Sequence, residues 1–368
     1  MIKLILILLL LFFCPLINGY RNGKNLIKSK LNSKQFEMLS SPTSPTTPTS
    51  STSLSSILPS KQKLELIFNL SAWYLISAFY NIYNKKALNI LRLPWFIATF
   101  QMFAGFLIFL PLWLLNIRER PFINKDEFFE TLQNLKVVAL YNTLTHSAGV
   151  IALGSGAVSF TQVVKAAEPL TTAIISFFFQ SSVLNIQAYL SLIPVIIGVA
   201  LSSANELTFS WYCLIAGLIA NLFASARGVF GKTAMCKQDT EKCSIMLSAE
   251  NFYAVLTIMS SFMLIPLMIF FEGSKINQLL IKPTTMEIEG IVYTMISGLL
   301  FYLYNEVSFK VLNEVHPVTH ALANTFKRIV IILSSILVFK NPITLGGMIG
   351  SSLAVFGVTL YSLVSSSK

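Results

Sequence analysis

The sequence predicts an all-α polytopic membrane protein of ten transmembrane helices, arranged as two inverted five-helix repeats. Three observations predict it. Only 12% of the 368 residues are charged and 54% are hydrophobic, roughly half the charge of an ordinary soluble domain. Apolar runs of roughly 20 residues, the length that crosses a bilayer as a helix, recur from about Phe68 to Leu363. A lysine followed by an apolar stretch ending in phenylalanine stands once around Lys165, running to Phe179, and again around Lys327, running to Phe339. Five-helix halves have opposite topology, so such an echo marks an inverted repeat with its binding site between the halves.

The chain begins with a leader. Lys3 precedes an apolar run from Leu4 to Phe13, then Cys14-Pro15 and a small-residue end at Gly19, the layout of a secretory signal peptide over 1–19. Residues 20–63 are basic, rich in Ser, Thr, Asn and Pro, and almost without acid, a composition that buries no core and predicts a disordered, transit-like leader. Most of the formal +11 charge sits here, as Lys3, Arg21, Lys24, Lys28, Lys30, Lys34, Lys61 and Lys63 against Glu37. A charge so placed is not a nucleic-acid surface.

The membrane helices follow in order. The first half, 64–206, holds segments 67–88, 94–116, 135–153, 157–179 and 183–203. The second, 207–368, holds 209–229, 248–271, 290–309, 317–339 and 343–364. An even number puts both ends of the mature chain on one side. The loops on that side carry Arg118, Arg120, Lys125, Lys232, Lys237 and Lys242, and the opposite loops Lys85, Lys86, Arg92, Lys275, Lys282 and Lys340. That balance leaves absolute orientation unread. Gly346 and Gly350 in the tenth segment have the spacing of close helix packing. Cys14, Cys213, Cys236 and Cys243 fit neither a zinc site nor a disulfide scaffold, and Cys236 and Cys243, which share a polar loop, are expected as separate thiols.

Ionisable residues inside membrane helices are costly and point to function. In the fourth segment Thr161, Lys165, Glu168 and Thr172 stand at i, i+4, i+7 and i+11, one face of a continuous helix. Lys165 reads either as a ligand or as the ion-pair partner of Glu168. Lys327 and Arg328 in the ninth segment have no acid nearby in their own helix and share a face with His320 and Asn324. They await an anion, for which guanidinium and ammonium suit phosphate oxygens, unless another helix supplies Glu206 or Glu306. Arg227 reads as a ligand contact or a snorkelling side chain. His146 lies on a polar face with Asn142 and Thr145, and Tyr304 sits with Tyr302 and Asn305 in an aromatic run.

Several strings carry a resemblance. Ser159 to Pro169 (SFTQVVKAAEP), Tyr302-Leu303-Tyr304-Asn305, His316 to Arg328 (HPVTHALANTFKR) and Tyr83-Asn84-Lys85-Lys86 resemble the plastid triose-phosphate/phosphate translocator family of the drug/metabolite transporter superfamily, over residues 66–365. The resemblance implies a central phosphate site made by Lys165, Lys327 and Arg328, with His146, Tyr304 and Arg227 as further substrate-binding residues. It implies antiport of inorganic phosphate against C3 phosphates, namely triose phosphate, 3-phosphoglycerate or phosphoenolpyruvate. Three departures stand out: Gly149 where the family commonly has a hydroxyl residue, Ala167 where it has leucine, and Gln162 where it has histidine.

The leader resembles the bipartite signal of a complex plastid such as the apicoplast. The alternative is a basic tail on a nucleotide-sugar transporter of the Golgi or endoplasmic reticulum. A membrane-embedded transferase would need nucleophile–base or carboxylate pairs that the sequence does not offer. No phosphate-cradling glycine loop or metal-ligand cluster is present, so neither ATP, metal nor cofactor is implied. The expected partners are inorganic phosphate, small organic phosphates and the lipid bilayer; oligomeric state is unread.

Overall fold

The computed structural model describes residues 61–121, 125–180, 185–207, 209–238, 249–315, 317–340 and 344–365. The expected signal peptide, nearly all of the leader, Cys243 and the Cys236 thiol lie outside the described residues. The described chain is helical throughout, with α1 Lys61–Leu91, α2 Pro94–Ala104, α3 Phe106–Leu114, α4 Lys125–Ser155, α5 Val158–Lys165, α6 Glu168–Gln180, α7 Ile186–Ala204, α8 Trp211–Gln238, α9 Ala249–Ile281, α10 Thr285–Glu314, α11 Pro317–Phe339 and α12 Leu345–Ser365. Contacts set Pro111–Glu119 apart from the body formed by Lys61–Leu110 and Arg120–Lys368. Within that short piece, α3 ends on Asn116 at a φ of 53°, a left-handed cap that asparagine tolerates.

Two expected segments are broken. The second splits at Gly105 into α2 and α3, and the fourth splits at Ala166-Ala167 into α5 and α6. Among the described residues eight stretches are long and apolar enough to cross a bilayer, which makes this a polytopic helical membrane protein. The first and fourth expected segments are not among them. The fourth is broken, and α1 buries Asn69, Ser77, Asn81 and Asn84. A helix that hides its polar residues and shows lipid its apolar ones is turned inside out relative to a soluble one. Elsewhere the outer surface is apolar: Phe270 is 81% and Leu337 78% exposed.

The helix pairings repeat. Helix α1 packs on α10 as α4 packs on α8; α1 meets α11 as α6 meets α8; α2 meets α10 as α4 meets α9. Helices α2 with α9, and α7 with α12, close the set. The last pair shows how small residues bring backbones together in lipid. A β-carbon on Gly198 would stand 2.4 Å from the Ala354 nitrogen, and one on Gly350 2.5 Å from the Ser202 nitrogen. Gly346, predicted to pack closely, lies against Asn205, where a β-carbon would come within 2.3 Å. Gly198→Ala is therefore expected to lower stability by about 1–3 kcal/mol through overpacking. Gly273→Ala, whose β-carbon would meet only Ile269 at 3.7 Å, is expected to leave it nearly unchanged. Thermal unfolding of the two variants in detergent is the check.

Candidate functional site

A cavity of about 360 Å³ lies among α1, α4, α5, α6, α8, α10 and α11. Four cations line it, Lys165, Arg227, Lys327 and Arg328, with one carboxylate, Glu168. Tyr80, Asn81, Thr145, Gln162, Asn221, Tyr304, Asn305, Ser308, His320 and Asn324 supply polar wall. Such a concentration of positive charge amid apolar helices has the chemistry to hold an anion.

The break in the fourth segment places Lys165. Pro169 has no N–H to give the carbonyl of residue 165, four back, and its ring crowds that carbonyl. The helix therefore stops at Lys165 and restarts at Glu168, with Pro169 in the first turn of α6, where proline is welcome. Beside the break the Val164 carbonyl accepts both the Ala167 N–H at 3.1 Å and Asn221 Nδ2 at 2.8 Å. Of the expected four-residue face, the two members that flank the break line the cavity and the outer two do not. Lys165 and Glu168 reach the cavity, but the Thr161 hydroxyl donates to the Ala157 carbonyl at 2.9 Å and lies 3.5 Å from the buried, unbridged Cys213 thiol. The Thr172 hydroxyl lies 2.9 Å from that of Ser225 on α8.

The cations are held differently. Arg328 Nη2 donates to Glu168 Oε2 at 2.8 Å. A counter-ion from another helix is thus present, and it is Glu168, the residue expected to partner Lys165. Lys327 Nζ stands 4.7 Å from the Trp73 ring centroid and 5.5 Å from that of Tyr304, between two cation–π faces. Tyr304 is itself braced by Tyr80 at 5.1 Å and Phe301 at 5.5 Å between ring centroids. Arg227 does not snorkel: Nη1 donates to Asn142 Oδ1 at 2.8 Å, and Asn142 Nδ2 donates to Ser260 Oγ at 2.8 Å. Lys165 Nζ faces Gly149, where a β-carbon would lie 3.4 Å away. The hydroxyl missing at Gly149 is therefore missing beside the lysine ammonium itself.

Of the six expected site residues, five line the cavity: Lys165, Arg227, Tyr304, Lys327 and Arg328. His146 lies behind the wall, its Nε2 3.2 Å from the Ala98 carbonyl and its ring 4.2 Å from that of Phe301. It supports Tyr304 through Phe301. The sequence reading passed over α1, which supplies Ser77, Tyr80 and Asn81 to the wall and Trp73 to the face of Lys327. The signal was available, because Asn69, Trp73, Ser77 and Asn81 recur every four residues along one face.

On the side where α1 ends, the cavity is shut. Gln162 Nε2 donates to Asn81 Oδ1 at 3.0 Å. Lys85 Nζ donates to the carbonyls of Leu153 and Gly156 at 2.9 and 2.8 Å, a cation on the negative end of α4. Beyond them Leu88, Leu91, Ile97, Val150, Leu153 and Val158 form an apolar plug that Ile331 joins from α11. Lys85, counted in the sequence as a loop charge, is built into this closure.

The model of the Triose-phosphate Transporter family matches residues 63–362. The non-green plastid triose phosphate/phosphate translocator of Brassica oleracea var. botrytis is 34% identical over 307 residues, covering 83% of this chain and 74% of that one. The xylulose 5-phosphate/phosphate translocator of Arabidopsis thaliana is 33% identical over 313 residues, covering 83% and 71%. Phosphoenolpyruvate/phosphate translocator 3 of Oryza sativa subsp. japonica is 34% identical over 299 residues, covering 81% and 74%. All three are chloroplastic proteins.

Proposed function

The chain belongs to the triose-phosphate transporter family, whose members are transporters and not enzymes, and from that premise we propose that it exchanges inorganic phosphate for a C3 phosphate across a plastid membrane. The observation that carries the reading is the cavity itself: Lys165, Lys327 and Arg328 converge on one small volume inside the membrane, and Arg227 lines it with them. A phosphate dianion offers three acceptor oxygens to that clamp. Arg227, held by Asn142, is then the contact for the substrate's far end. The volume of about 360 Å³ favours triose phosphate, 3-phosphoglycerate or phosphoenolpyruvate over a nucleotide sugar.

Exchange follows from the charges. With the site empty, four cations beside one carboxylate repel one another and resist the loss of solvent that closure brings. A bound dianion removes that cost, and the two halves, 64–206 and 207–368, rock about it as inverted repeats. The doubled helix pairings, α1 on α10 with α4 on α8 and their fellows, support this division and the count of ten spans. For the site to face the other way, the Lys85 and Gln162 contacts must part. The basic, acid-poor leader supports delivery to a complex plastid, the apicoplast.

The test is labelled phosphate uptake by proteoliposomes preloaded with phosphate, dihydroxyacetone phosphate, 3-phosphoglycerate, phosphoenolpyruvate, glucose 6-phosphate or a nucleotide sugar. Stimulation by phosphate and the C3 compounds above glucose 6-phosphate and the nucleotide sugar is the expected result. Stimulation by the nucleotide sugar alone would move the protein to the Golgi or endoplasmic-reticulum alternative.

A further inference from the structure

Every cation lining the cavity has its own kind of neighbour, and among the described residues only Arg328 is paired with an anion. The Arg328–Glu168 pair is close, 2.8 Å, and unequal in setting: the arginine side chain is 10% exposed and the carboxylate 36%. Glu168 is thus the half of the pair that faces open space. It also sits on a joint, being the first residue of α6 just past the break at Ala166-Ala167. Its backbone carbonyl takes hydrogen bonds from the hydroxyls of Thr171 and Thr172, each at 2.9 Å, so the start of α6 keeps its shape whichever way the carboxylate turns.

We infer that Glu168 is a resident stand-in for the transported anion: it occupies Arg328 while the site is empty, and incoming phosphate displaces it. This rests on the proposal that the cavity binds phosphate, and it gives the carboxylate a role there as an internal competitor. Two consequences follow from charge alone. The displaced carboxylate opposes binding, so affinity for phosphate is lower than the cations alone would give. The pair also lowers the charge of the empty site, so Glu168 sets how often the carrier crosses unloaded.

The charge is tested by Glu168→Gln, which keeps the side chain's length and an oxygen for Arg328 while removing the negative charge. In proteoliposomes the KM for external phosphate is expected to fall on the order of three- to tenfold, the scale of one ordinary hydrogen bond's net contribution. Efflux of labelled phosphate without an external counter-substrate is expected to fall below the wild-type rate, because the empty site now carries one more uncompensated charge. Glu168→Asp keeps the charge on a shorter arm, and its KM should fall between the two; it also carries the test if the glutamine variant does not fold. A KM equal to or above wild type in both variants would mean that Glu168 merely orients Arg328, and the inference is overturned. Wild-type protein that exchanges no phosphate would overturn the functional reading and this inference with it, which separates the two failures.

Discussion

Replacing Lys327 by alanine is expected to reduce phosphate exchange by roughly a hundredfold or more, the scale of losing one partner from a desolvated charge pair, while leaving the protein folded. Lys327 is the cleanest of the clamp residues to remove. Its ammonium lies between the Trp73 and Tyr304 rings, so truncation leaves space but strands no buried acid. Arg328→Ala would instead release Glu168, mixing a lost ligand with an unpaired carboxylate. Lys327→Arg keeps the charge but carries a larger, planar head into a slot shaped by two rings, and should retain partial exchange. Exchange assays beside melting curves in detergent separate the two quantities. A Lys327→Ala protein that melts normally and exchanges at the wild-type rate would remove the ninth segment from the site.

Pro169→Ala is expected to cut exchange at least about tenfold with little loss of folded protein. Alanine at 169 restores an N–H for the carbonyl of residue 165 and removes the ring that crowds it, so α5 and α6 can join as one helix. A continuous helix turns Lys165 and Glu168 relative to each other and withdraws the Val164 carbonyl from Asn221. The cost therefore falls on geometry at the cavity, where misplacement is severe, and not on burial. Asn221→Ala should reproduce part of the loss, since it removes the side chain that ties the Val164 carbonyl beside the break to α8. Equal exchange by wild type and Pro169→Ala would show that the break has no part in placing Lys165.

The same break marks where the sequence could be read and where it was misread. Long apolar runs made the helices plain, because lipid rewards uninterrupted hydrophobicity and little else. The fourth segment was read as a single continuous helix, although Pro169, four residues after Lys165, forbids that geometry; the apolar count outweighed the backbone chemistry. Helix α1 was read only for its length, and Ser77 and Asn81 of its polar row were overlooked as a wall of the site. Charges spaced within one helix could be assigned from periodicity, as for Lys327 with Arg328. The partner of Arg328 could not, since the meeting of α6 with α11 depends on how helices far apart in sequence approach. His146 shows the reverse limit: its helix face was legible, but the Phe301 ring stands between its ring and Tyr304.

Strict exchange is the claim on which the account turns, and it has a direct measurement. Labelled phosphate is supplied to proteoliposomes that hold either unlabelled phosphate or only buffer, and initial uptake is compared. The charge argument predicts rapid uptake with internal phosphate and little without it, because a carrier returning empty must close over uncompensated cations. Equal uptake in both would contradict it, and would mean that the site closes as readily empty as filled.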